Sequence, residues 1–288
     1  MESYILNFAP NGMVPTKSMN ANTPISTSEI SEDILMAAEY GASIAHIHAR
    51  DERTGEPPTS IEIYGSIIEK IRKFNKEIIL CVSLSGRNMS DPKLRSRPLA
   101  LDGDVKPDMG SLTLSSLNFS NQASINAPQT INYLSEEMMK NGIFPEIEIF
   151  DLGMANYLNF LLRKKLIPEN IYGNILLGNI FGAQPTFSHI ASILSNLPKN
   201  MITSFAGLGE YQLSASVLAL ASGHGVRIGL EDNIWYDRDK KIPASNLKLI
   251  ERITSIAKNI DKTPLSPKKV RELLGLNPGN GKYGYIPQ

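Results

Sequence analysis

The sequence predicts a single (β/α)₈ barrel, a TIM barrel, with an extra C-terminal helix. Short runs rich in β-branched residues alternate with longer amphipathic stretches along the whole chain, a pattern typical of βα units around a parallel sheet. The chain has 288 residues, a length at which a barrel commonly forms one domain. No GxGxxG motif follows the first predicted strand, which removes the commonest reason to prefer an open doubly wound sheet.

Eight short apolar segments, each followed by a helix or a helical stretch, are predicted as the barrel strands. The runs Ile78-Ile79-Leu80 and Ile175-Leu176-Leu177 are continuously apolar, as expected of strands buried on both faces. The predicted strands are Tyr4–Phe8, Ser43–His48, Glu77–Ser83, Met109–Leu114, Glu146–Phe150, Asn174–Gly178, Met201–Phe205 and Val226–Leu230.

The clearest helix signal is a capping box, because Ser26 and Glu29 can each satisfy a free N–H group at a helix start. Ile30 and Ile34 then fall on one face, and Gly41 suits the left-handed residue that ends a helix. Similar apolar stripes predict helices around Tyr64–Phe74, Leu134–Met138 and Leu158–Leu162, and two final helices over Ser245–Ile260 and Pro267–Leu274. We expect one barrel domain over residues 1–288, with residues 276–288 as an extended tail.

The composition excludes several classes of protein. Apolar residues make up 42% of the chain, enough for a sizeable core. Lys plus Arg and Asp plus Glu each number 29, so the basic excess of a nucleic-acid-binding protein is missing. Cys81 is the one cysteine, which excludes an intrachain disulfide and fits a reducing compartment. No apolar run reaches the roughly 18 residues of a membrane span. Residues 1–6 lack the features of a signal peptide. We therefore expect a cytoplasmic protein without nucleic-acid or membrane partners.

The first chemical signal is His46-Ile47-His48 at the end of the second predicted strand. Side chains alternate along a strand, so the two imidazoles point the same way with their Cα atoms roughly 6.5 Å apart. This spacing allows both to bind one metal ion, and barrel active sites lie at the carboxyl ends of the strands. Two hydrogen-bonded histidines at a strand end are the simpler alternative, but the position favours a metal site.

Glu231 and Asp232 directly follow the eighth predicted strand, on the same face of the barrel. Glu231 is the natural third metal ligand and would leave one coordination position open, as catalytic zinc requires. A carboxylate pair at a helix start is the alternative. Arg227 lies four residues earlier, and a charge inside a strand needs a partner when it is buried. Its pairing with a carboxylate is either structural or sets the protonation state of an acid–base group.

Further polar side chains alternate along the third to fifth predicted strands. Glu148 lies nearer the mouth of the barrel than Glu146, and a functional role for Glu148 is as well supported as a place on a solvent-exposed edge. Ser83 ends the third strand. The hydroxyl groups of Ser111 and Thr113 either bind substrate oxygen atoms or satisfy backbone groups of the core. The remaining candidates, Cys81, His189 and His224, are predicted to be packing or surface residues.

In their order along nearly the whole chain, these motifs resemble the β-keto acid cleavage enzymes, the family of 3-keto-5-aminohexanoate cleavage enzyme. Each motif alone is weak, and their order and spacing make the resemblance specific. The motifs are Gly41-Ala42, His46-Ile47-His48-Ala49-Arg50-Asp51, Val82-Ser83-Leu84-Ser85-Gly86, Lys106-Pro107-Asp108-Met109, Ser116-Leu117-Asn118-Phe119, Pro145-Glu146-Ile147-Glu148, Gly153-Met154 and Gly225-Val226-Arg227-Ile228-Gly229-Leu230-Glu231-Asp232-Asn233.

The resemblance implies a zinc-dependent barrel that condenses a β-keto acid with acetyl-CoA and cleaves the adduct to acetoacetate and a new acyl-CoA. It implies zinc on His46, His48 and Glu231, and an acid–base Asp232 paired with Arg227. The other site positions that it implies are Ser83, Glu148, Ser111 and Thr113. Zinc suits this chemistry, because a β-keto acid can chelate a Lewis-acidic ion through its carboxylate and keto oxygens. Barrels of this kind often assemble, so we expect a homo-oligomer.

One stretch departs from the family pattern. Members that act on the amino-bearing substrate carry a glutamate after the first strand, at the position of Val14, and valine cannot pair with an ammonium ion. We therefore expect Asn11 and Val14 to line a site for a β-keto acid whose tail is uncharged or differently charged. Ser85 replaces a glycine-type position. Arg87 is suited either to a second substrate carboxylate or to the phosphates of coenzyme A.

Three other functions fit parts of the pattern. Amidohydrolase-type hydrolases are also barrels with HxH, but they carry it on strand one and need histidines on strands five and six, where this chain has Glu148 and Asn179. A metal-dependent lyase would act without coenzyme A. A barrel that binds a small acidic ligand without turnover is disfavoured, because the predicted ligand and acid–base residues are intact.

Overall fold

Eight parallel strands close into a barrel in the computed structural model, which describes residues 2–56 and 60–287. The strands are β1 (Leu6–Phe8), β2 (Ile44–Ile47), β3 (Ile79–Val82), β4 (Met109–Thr113), β5 (Phe144–Ile149), β6 (Tyr172–Leu177), β7 (Ile202–Gly207) and β8 (Gly225–Ile228). Each strand pairs with the next, and β8 pairs back with β1, where Arg227 lies opposite Asn7. The predicted barrel is confirmed.

Within the described residues, seven α-helices lie in the connections between successive strands, and two follow the last strand. They are α1 (Thr27–Glu39), α2 (Glu62–Arg72), α3 (Pro92–Arg95), α4 (Pro128–Asn141), α5 (Leu152–Arg163), α6 (Phe187–Asn196), α7 (Gln212–Ser222), α8 (Asn246–Asn259) and α9 (Pro267–Leu274). The predicted capping box is present at α1, and α9 is the extra C-terminal helix. Within the described ranges, no helix is both long and apolar enough to cross a membrane.

The first predicted strand, Tyr4–Phe8, divides into two parts. Its second part is β1, whereas Ser3–Tyr4 pairs in parallel with Thr263–Pro264, beyond α8. The Tyr4 carbonyl accepts a hydrogen bond from the Leu265 N–H at 2.8 Å, so the segment leading into α9 holds the start of the chain. A continuous apolar pattern carries no sign of this division, because both parts are extended and mostly buried.

Apolar side chains fill the space between strands and helices and also the amino-terminal end of the barrel interior. Ile44, Ile79 and Phe144, from three different strands, are buried in that interior layer. Val270 and Leu274 of α9 pack against the same layer. The amino-terminal end of the barrel is therefore sealed by α9, and the barrel opens toward the carboxyl ends of its strands, where active sites of this fold lie.

The described part of the predicted tail, residues 276–288, packs against the amino-terminal end of the barrel. The Tyr285 ring meets Phe144 edge-to-face at a centroid distance of 5.6 Å, and the Gly284 N–H donates to Asp108 at 3.0 Å. Residues 1, 57–59 and 288, which belong to the predicted domain and tail, lie outside the described residues.

A small hairpin that the sequence did not predict lies between β4 and α4. Leu117–Asn118 and Ala123–Ser124 pair antiparallel, and Phe119 directly follows the first of these short strands. The Phe119 ring packs edge-to-face on Phe150 at a centroid distance of 5.7 Å. The hairpin therefore fixes an aromatic ring at the open end of the barrel.

Candidate active site

Three potential metal ligands meet at the carboxyl ends of β2 and β8. His46 lies in β2, His48 directly follows that strand, and Glu231 follows β8. The two Nε2 atoms of the histidines are 3.2 Å apart, and His48 Nε2 lies 3.1 Å from Glu231 Oε1. His46 Nε2 lies 3.9 Å from Glu231 Oε2. The structure thus brings together the three residues predicted to hold a metal.

This donor set fits a zinc ion. Two nitrogen ligands, each about 2.0–2.1 Å from a tetrahedral zinc ion, lie about 3.3 Å from each other. The Nε2 atoms of His46 and His48 have nearly this separation. Glu231 Oε2 is buried and has no hydrogen-bond partner among the described residues. A buried carboxylate oxygen without a partner, 3.9 Å from His46 Nε2, is explained by a cation that binds all three groups.

The charges at the open end of the barrel point to the same conclusion. Within the described residues, three carboxylates, those of Glu148, Glu231 and Asp232, contact the single guanidinium group of Arg227. These contacts leave more negative than positive charge around Arg227. Since buried charges are costly without compensation, one divalent cation would balance the site.

Glu146 orients His46, a role that the sequence analysis missed. Its Oε2 atom lies 2.5 Å from His46 Nδ1, and both side chains are almost completely buried. Burial raises the pKa of Glu146, but His46 and Arg227 offset this and lower it to about 2, so the carboxylate stays ionised. A metal-binding histidine commonly donates its second N–H to such a carboxylate. The alternation of Glu146 with Glu148 was the available signal, since both must face the barrel interior.

A buried polar layer holds Glu146 in turn. Its Oε1 atom accepts hydrogen bonds from Asn7 at 2.5 Å and from Asn174 at 2.9 Å. Cys81 Sγ lies 3.1 Å from Glu146 Oε2, so this cysteine is more than the small apolar residue predicted. His46, Cys81 and Glu146 also lie close enough to hold an ion. Burial and Glu146 raise the thiol pKa well above its ordinary value, which disfavours the thiolate needed for metal binding.

Arg227 lies at the centre of the carboxylates. Its Nε is 3.1 Å from Asp232, its Nη2 is 2.8 Å from Glu231, and its Nη1 is 3.3 Å from Glu148. Burial lowers the pKa of the guanidinium, but the carboxylates reverse this and raise it well above the ordinary value. Between the end of β8 at Ile228 and Glu231, the chain passes through Gly229, which has φ +152° and leaves no room for a side chain beside the Ala9 carbonyl.

Asp232 combines burial with a strong cationic partner. Burial raises its pKa, Arg227 lowers it and neighbouring Glu231 raises it, with a net rise to about 6. The predicted pair of Arg227 and Asp232 is present in the structure. A carboxylate that titrates near neutral pH is able both to accept and to release a proton during a reaction.

The remaining predicted side chains fall into two groups. Thr113 donates a hydrogen bond to Glu148 at 2.6 Å, and the Ser83 hydroxyl accepts the Ser85 N–H at 3.3 Å; all four residues line an inner cavity of about 510 Å³. The Ser111 hydroxyl instead accepts the Leu84 N–H at 3.0 Å and supports the end of β3.

Asn11 and Val14 approach the site from the segment after β1. The Asn11 amide is buried and donates to the His48 carbonyl at 2.9 Å, so it supports a predicted metal ligand from behind. Val14 is 44% exposed and lines a wide outer cavity together with Arg87, which also borders the inner cavity. The structure thus places Val14 at the entrance and Arg87 between entrance and site.

The other two histidines lie away from this cluster, as predicted. His189 lies in the first turn of α6, where its Nδ1 accepts the Gln184 N–H at 3.0 Å. His224 precedes β8 at the amino-terminal end of the barrel, where it stacks on Phe205 and its Nδ1 lies 2.6 Å from the Thr203 hydroxyl.

Comparison with known proteins identifies the relatives of this chain. The family model for beta-keto acid cleavage enzyme matches residues 3–276. The 3-keto-5-aminohexanoate cleavage enzyme of Acetoanaerobium sticklandii is 29% identical over 279 residues, which is 96% of this chain and 100% of the relative. The 3-oxoadipate:acetyl-CoA acetyltransferase of Cupriavidus necator is 31% identical, with 94% of each chain covered.

The fold is also found in a solved protein, ObcA. Its apo structure matches with a TM-score of 0.71 at 19% identity and 88% coverage of this chain. The present chain spans 65% of the length of that ObcA chain, and the likeness supports the barrel fold alone. The family match, by contrast, extends over nearly all of the sequence, in agreement with the resemblance found from the motifs. The chain therefore belongs to the β-keto acid cleavage enzyme family.

Proposed function

We propose that the protein is a zinc-dependent enzyme that condenses a β-keto acid with acetyl-CoA and cleaves the adduct to acetoacetate and a new acyl-CoA. The observation that carries this proposal is the convergence of His46, His48 and Glu231 beside the buried pair of Arg227 and Asp232. The names of two relatives support it, since one is a cleavage enzyme for 3-keto-5-aminohexanoate and the other is an acetyltransferase for 3-oxoadipate and acetyl-CoA.

Zinc would be held by the Nε2 atoms of His46 and His48 and by the Glu231 carboxylate. Three protein ligands are the usual number in catalytic zinc sites. A bound zinc ion supplies a Lewis acid for the carbonyl groups of the substrate. Glu146 keeps the His46 ring in place through Nδ1, and Asn11 supports the backbone of His48.

Asp232 is the proposed acid–base group. Its carboxylate takes a proton from the carbon between the keto and carboxylate groups of the β-keto acid. That carbon then bonds to the acetyl carbonyl carbon, and the thioester C–S bond breaks. The released thiolate attacks the original keto carbon, the neighbouring C–C bond breaks, and the proton returns to the carbon of acetoacetate. Arg227 orients Asp232 through both carboxylate oxygens throughout.

The neighbouring polar groups would hold the substrate and steady its charge. Glu148 is fixed by Thr113 and Arg227, so we assign it to the charge balance of the site. The Ser83 hydroxyl lines the inner cavity and is able to donate to a substrate oxygen. The predicted substrate contact of Ser111 stays a prediction, with its hydroxyl engaged by the backbone.

The first test follows the acetyl group. Zinc-loaded protein is incubated with acetyl-CoA carrying ¹³C in both acetyl carbons and with β-keto acids whose tails are neutral, anionic or cationic. The label should appear in the methyl and carbonyl carbons of acetoacetate, because the keto acid supplies the remaining two carbons. Acetoacetate that forms without acetyl-CoA, or no acetoacetate from any acid despite bound zinc, would contradict the proposal.

A further inference from the structure

The guanidinium group of Arg87 has no ion-pair partner among the described residues, whereas the other charged side chains of the inner cavity are paired. Arg87 follows β3, is half-buried, and borders the inner cavity together with His48 and Asp232. Its charged group makes no hydrogen bond or ion pair with any described residue, although its backbone N–H donates to Ser85. The Arg87 side chain lies over the Phe119 ring, with Cζ 3.5 Å from the ring centroid.

The neighbouring carboxylates do not satisfy Arg87. Its electrostatic neighbours include Glu231, Glu148 and Asp232, and each of these already contacts Arg227. Stacking on Phe119 leaves the planar edge of the guanidinium free, which is the edge that binds carboxylate or phosphate in a bidentate manner. Phe119 is itself packed edge-to-face on Phe150, which supports the ring that the guanidinium covers.

The position of Arg87 distinguishes between the two anions that could bind it. Because Arg87 borders the same inner cavity as Asp232, it lies close to the reacting carbons. The phosphates of coenzyme A are separated from the thioester by the whole pantetheine arm, and cannot lie in that cavity while the acetyl group does. The carboxylate that every β-keto acid carries is next to the reacting carbon. In the proposed reaction that carboxylate would chelate zinc together with the keto oxygen, so an anion at Arg87 is at the other end of the keto acid.

We propose that Arg87 is the residue that selects the substrate, and that the substrate is a β-keto acid with a second carboxylate at the end of its tail. This inference rests on the proposed function for the identity of the reaction. Val14, at the entrance, contributes no charge, and of the two guanidinium groups among the described residues of the inner cavity, Arg227 is already paired, which leaves Arg87 to bind an anionic tail. A rival place for an uncharged tail is a mostly apolar cavity of about 630 Å³ that shares Ser83 and Ser85 with the site.

The test compares matched acids of equal chain length. The dicarboxylates 3-oxoglutarate, 3-oxoadipate and 3-oxopimelate are paired with 3-oxopentanoate, 3-oxohexanoate and 3-oxoheptanoate, in which a methyl group replaces the terminal carboxylate. The wild-type enzyme should prefer the dicarboxylate in at least one pair. In Arg87→Gln the ratio of kcat/KM within that pair should fall about 10- to 100-fold, the range for a lost charged hydrogen bond. Arg87→Lys should recover part of the ratio, because it keeps the charge without the planar fork.

Arg163→Gln is the matched control, because it removes an exposed arginine from the end of α5 and should leave the ratio unchanged. A wild-type preference for the neutral acid in every pair would overturn the inference and leave the proposed function intact. An unchanged ratio in Arg87→Gln would do the same.

If no acid yields acetoacetate, the proposed function fails separately. Calorimetry then decides the inference, with glutarate, adipate and pimelate each compared against the monocarboxylate of equal length. At least one dicarboxylate should bind more tightly, and Arg87→Gln should remove that advantage; equal binding would overturn the inference.

Discussion

The pKa values of the adjacent carboxylates Glu231 and Asp232 are shifted in opposite directions by their contacts. Burial raises the pKa of both Glu231 and Asp232, and Arg227 lowers both. Glu231 also faces His46 and His48, so its pKa falls well below the ordinary value, as suits a metal ligand. For Asp232 the larger influence besides Arg227 is the negative charge of Glu231, which offsets part of the effect of Arg227. Environments that separate the pKa values of two neighbouring acids commonly mark an acid–base site.

Replacing Asp232 by Asn should separate metal binding from turnover. Asp232→Asn keeps the shape and one of the two acceptor oxygens for Arg227 but removes the proton acceptor. Zinc content should stay equal to that of the wild type, while kcat for acetoacetate formation falls about 10²- to 10⁴-fold. Asp239→Asn, which removes an exposed carboxylate from the same connection, is the control. Normal turnover in Asp232→Asn would exclude it as the acid–base group.

Replacing Glu146 by Gln should weaken zinc binding without removing a ligand. Glutamine fills the same space, but it cannot stabilise the Nδ1–H of His46 as a carboxylate does. Loss of such a partner typically costs about 10- to 100-fold in metal affinity. Competition with a chromophoric chelator measures the change, and Glu137→Gln on α4 is the control. An unchanged zinc affinity would show that Glu146 serves only the buried polar layer.

At the scale of elements, α1 begins with a capping box whose strength depends on the charge of Glu29. Burial raises the pKa of Glu29, but hydrogen bonds from Lys17 and from the N–H groups of Ser26 and Ile25 lower it to about 2. The folded pKa is below the ordinary value of 4.5. The stabilisation is therefore complete above that value and is lost as the pH falls toward 2.

Variants of this capping box should change stability and its pH dependence. Ser26→Ala should lower the free energy of unfolding by about 1 kcal/mol at neutral pH. Glu29→Gln should reduce the loss of stability between about pH 5 and about pH 3, measured by urea unfolding. Glu32→Gln, at an exposed position of the same helix, should leave that loss unchanged. Equal pH dependence in the wild type and Glu29→Gln would contradict the assignment.

The bounds of a strand could be predicted where its buried apolar run is uninterrupted. They were less accurate where a single residue of low strand propensity interrupts the run. The fifth strand was predicted from Glu146, whereas β5 begins at Phe144, because Pro145 lacks the N–H expected of a central strand. The hairpin that carries Phe119 has strands of two residues, too short for any periodic signal. The ring that Arg87 covers belongs to that hairpin, so this contact could not be derived from the sequence.

The site residues also divide into those that a local sequence pattern predicts and those that it does not. His46, His48 and Glu231 could be predicted because each lies at the end of a strand, where the topology of a barrel brings residues together. Glu146 lies one layer deeper, and its contact with His46 joins β5 to β2 across the barrel interior. Such a contact depends on the size and tilt of the closed barrel rather than on any local pattern.

In the molecule as a whole, buried polar groups form one cluster at each end of the barrel. The open end holds carboxylates with a deficit of positive charge, which prepares it for a cation and a substrate. The sealed end holds Asp108, which accepts hydrogen bonds from Arg271 at 2.8 and 2.9 Å and from the Gly284 N–H at 3.0 Å. Asp108 and Arg271 are both buried, and the pair joins β4, α9 and the C-terminal segment. In this fold the amino-terminal end serves stability rather than chemistry.

Breaking the pair at the sealed end should therefore affect stability and spare the site. Arg271→Met leaves the buried Asp108 with Arg72, at 3.4 Å, as its remaining guanidinium partner, and should lower the free energy of unfolding by about 3 kcal/mol, the lower end of the range for a broken buried pair. Lys269→Met removes an exposed cation from the same helix, and its surface pair with Glu272 should contribute no more than about 1 kcal/mol. Urea unfolding measures both. Well below the unfolding transition, zinc affinity and the choice between matched keto acids should stay at wild-type values in Arg271→Met. A change in either would show that the two ends are coupled through the strands.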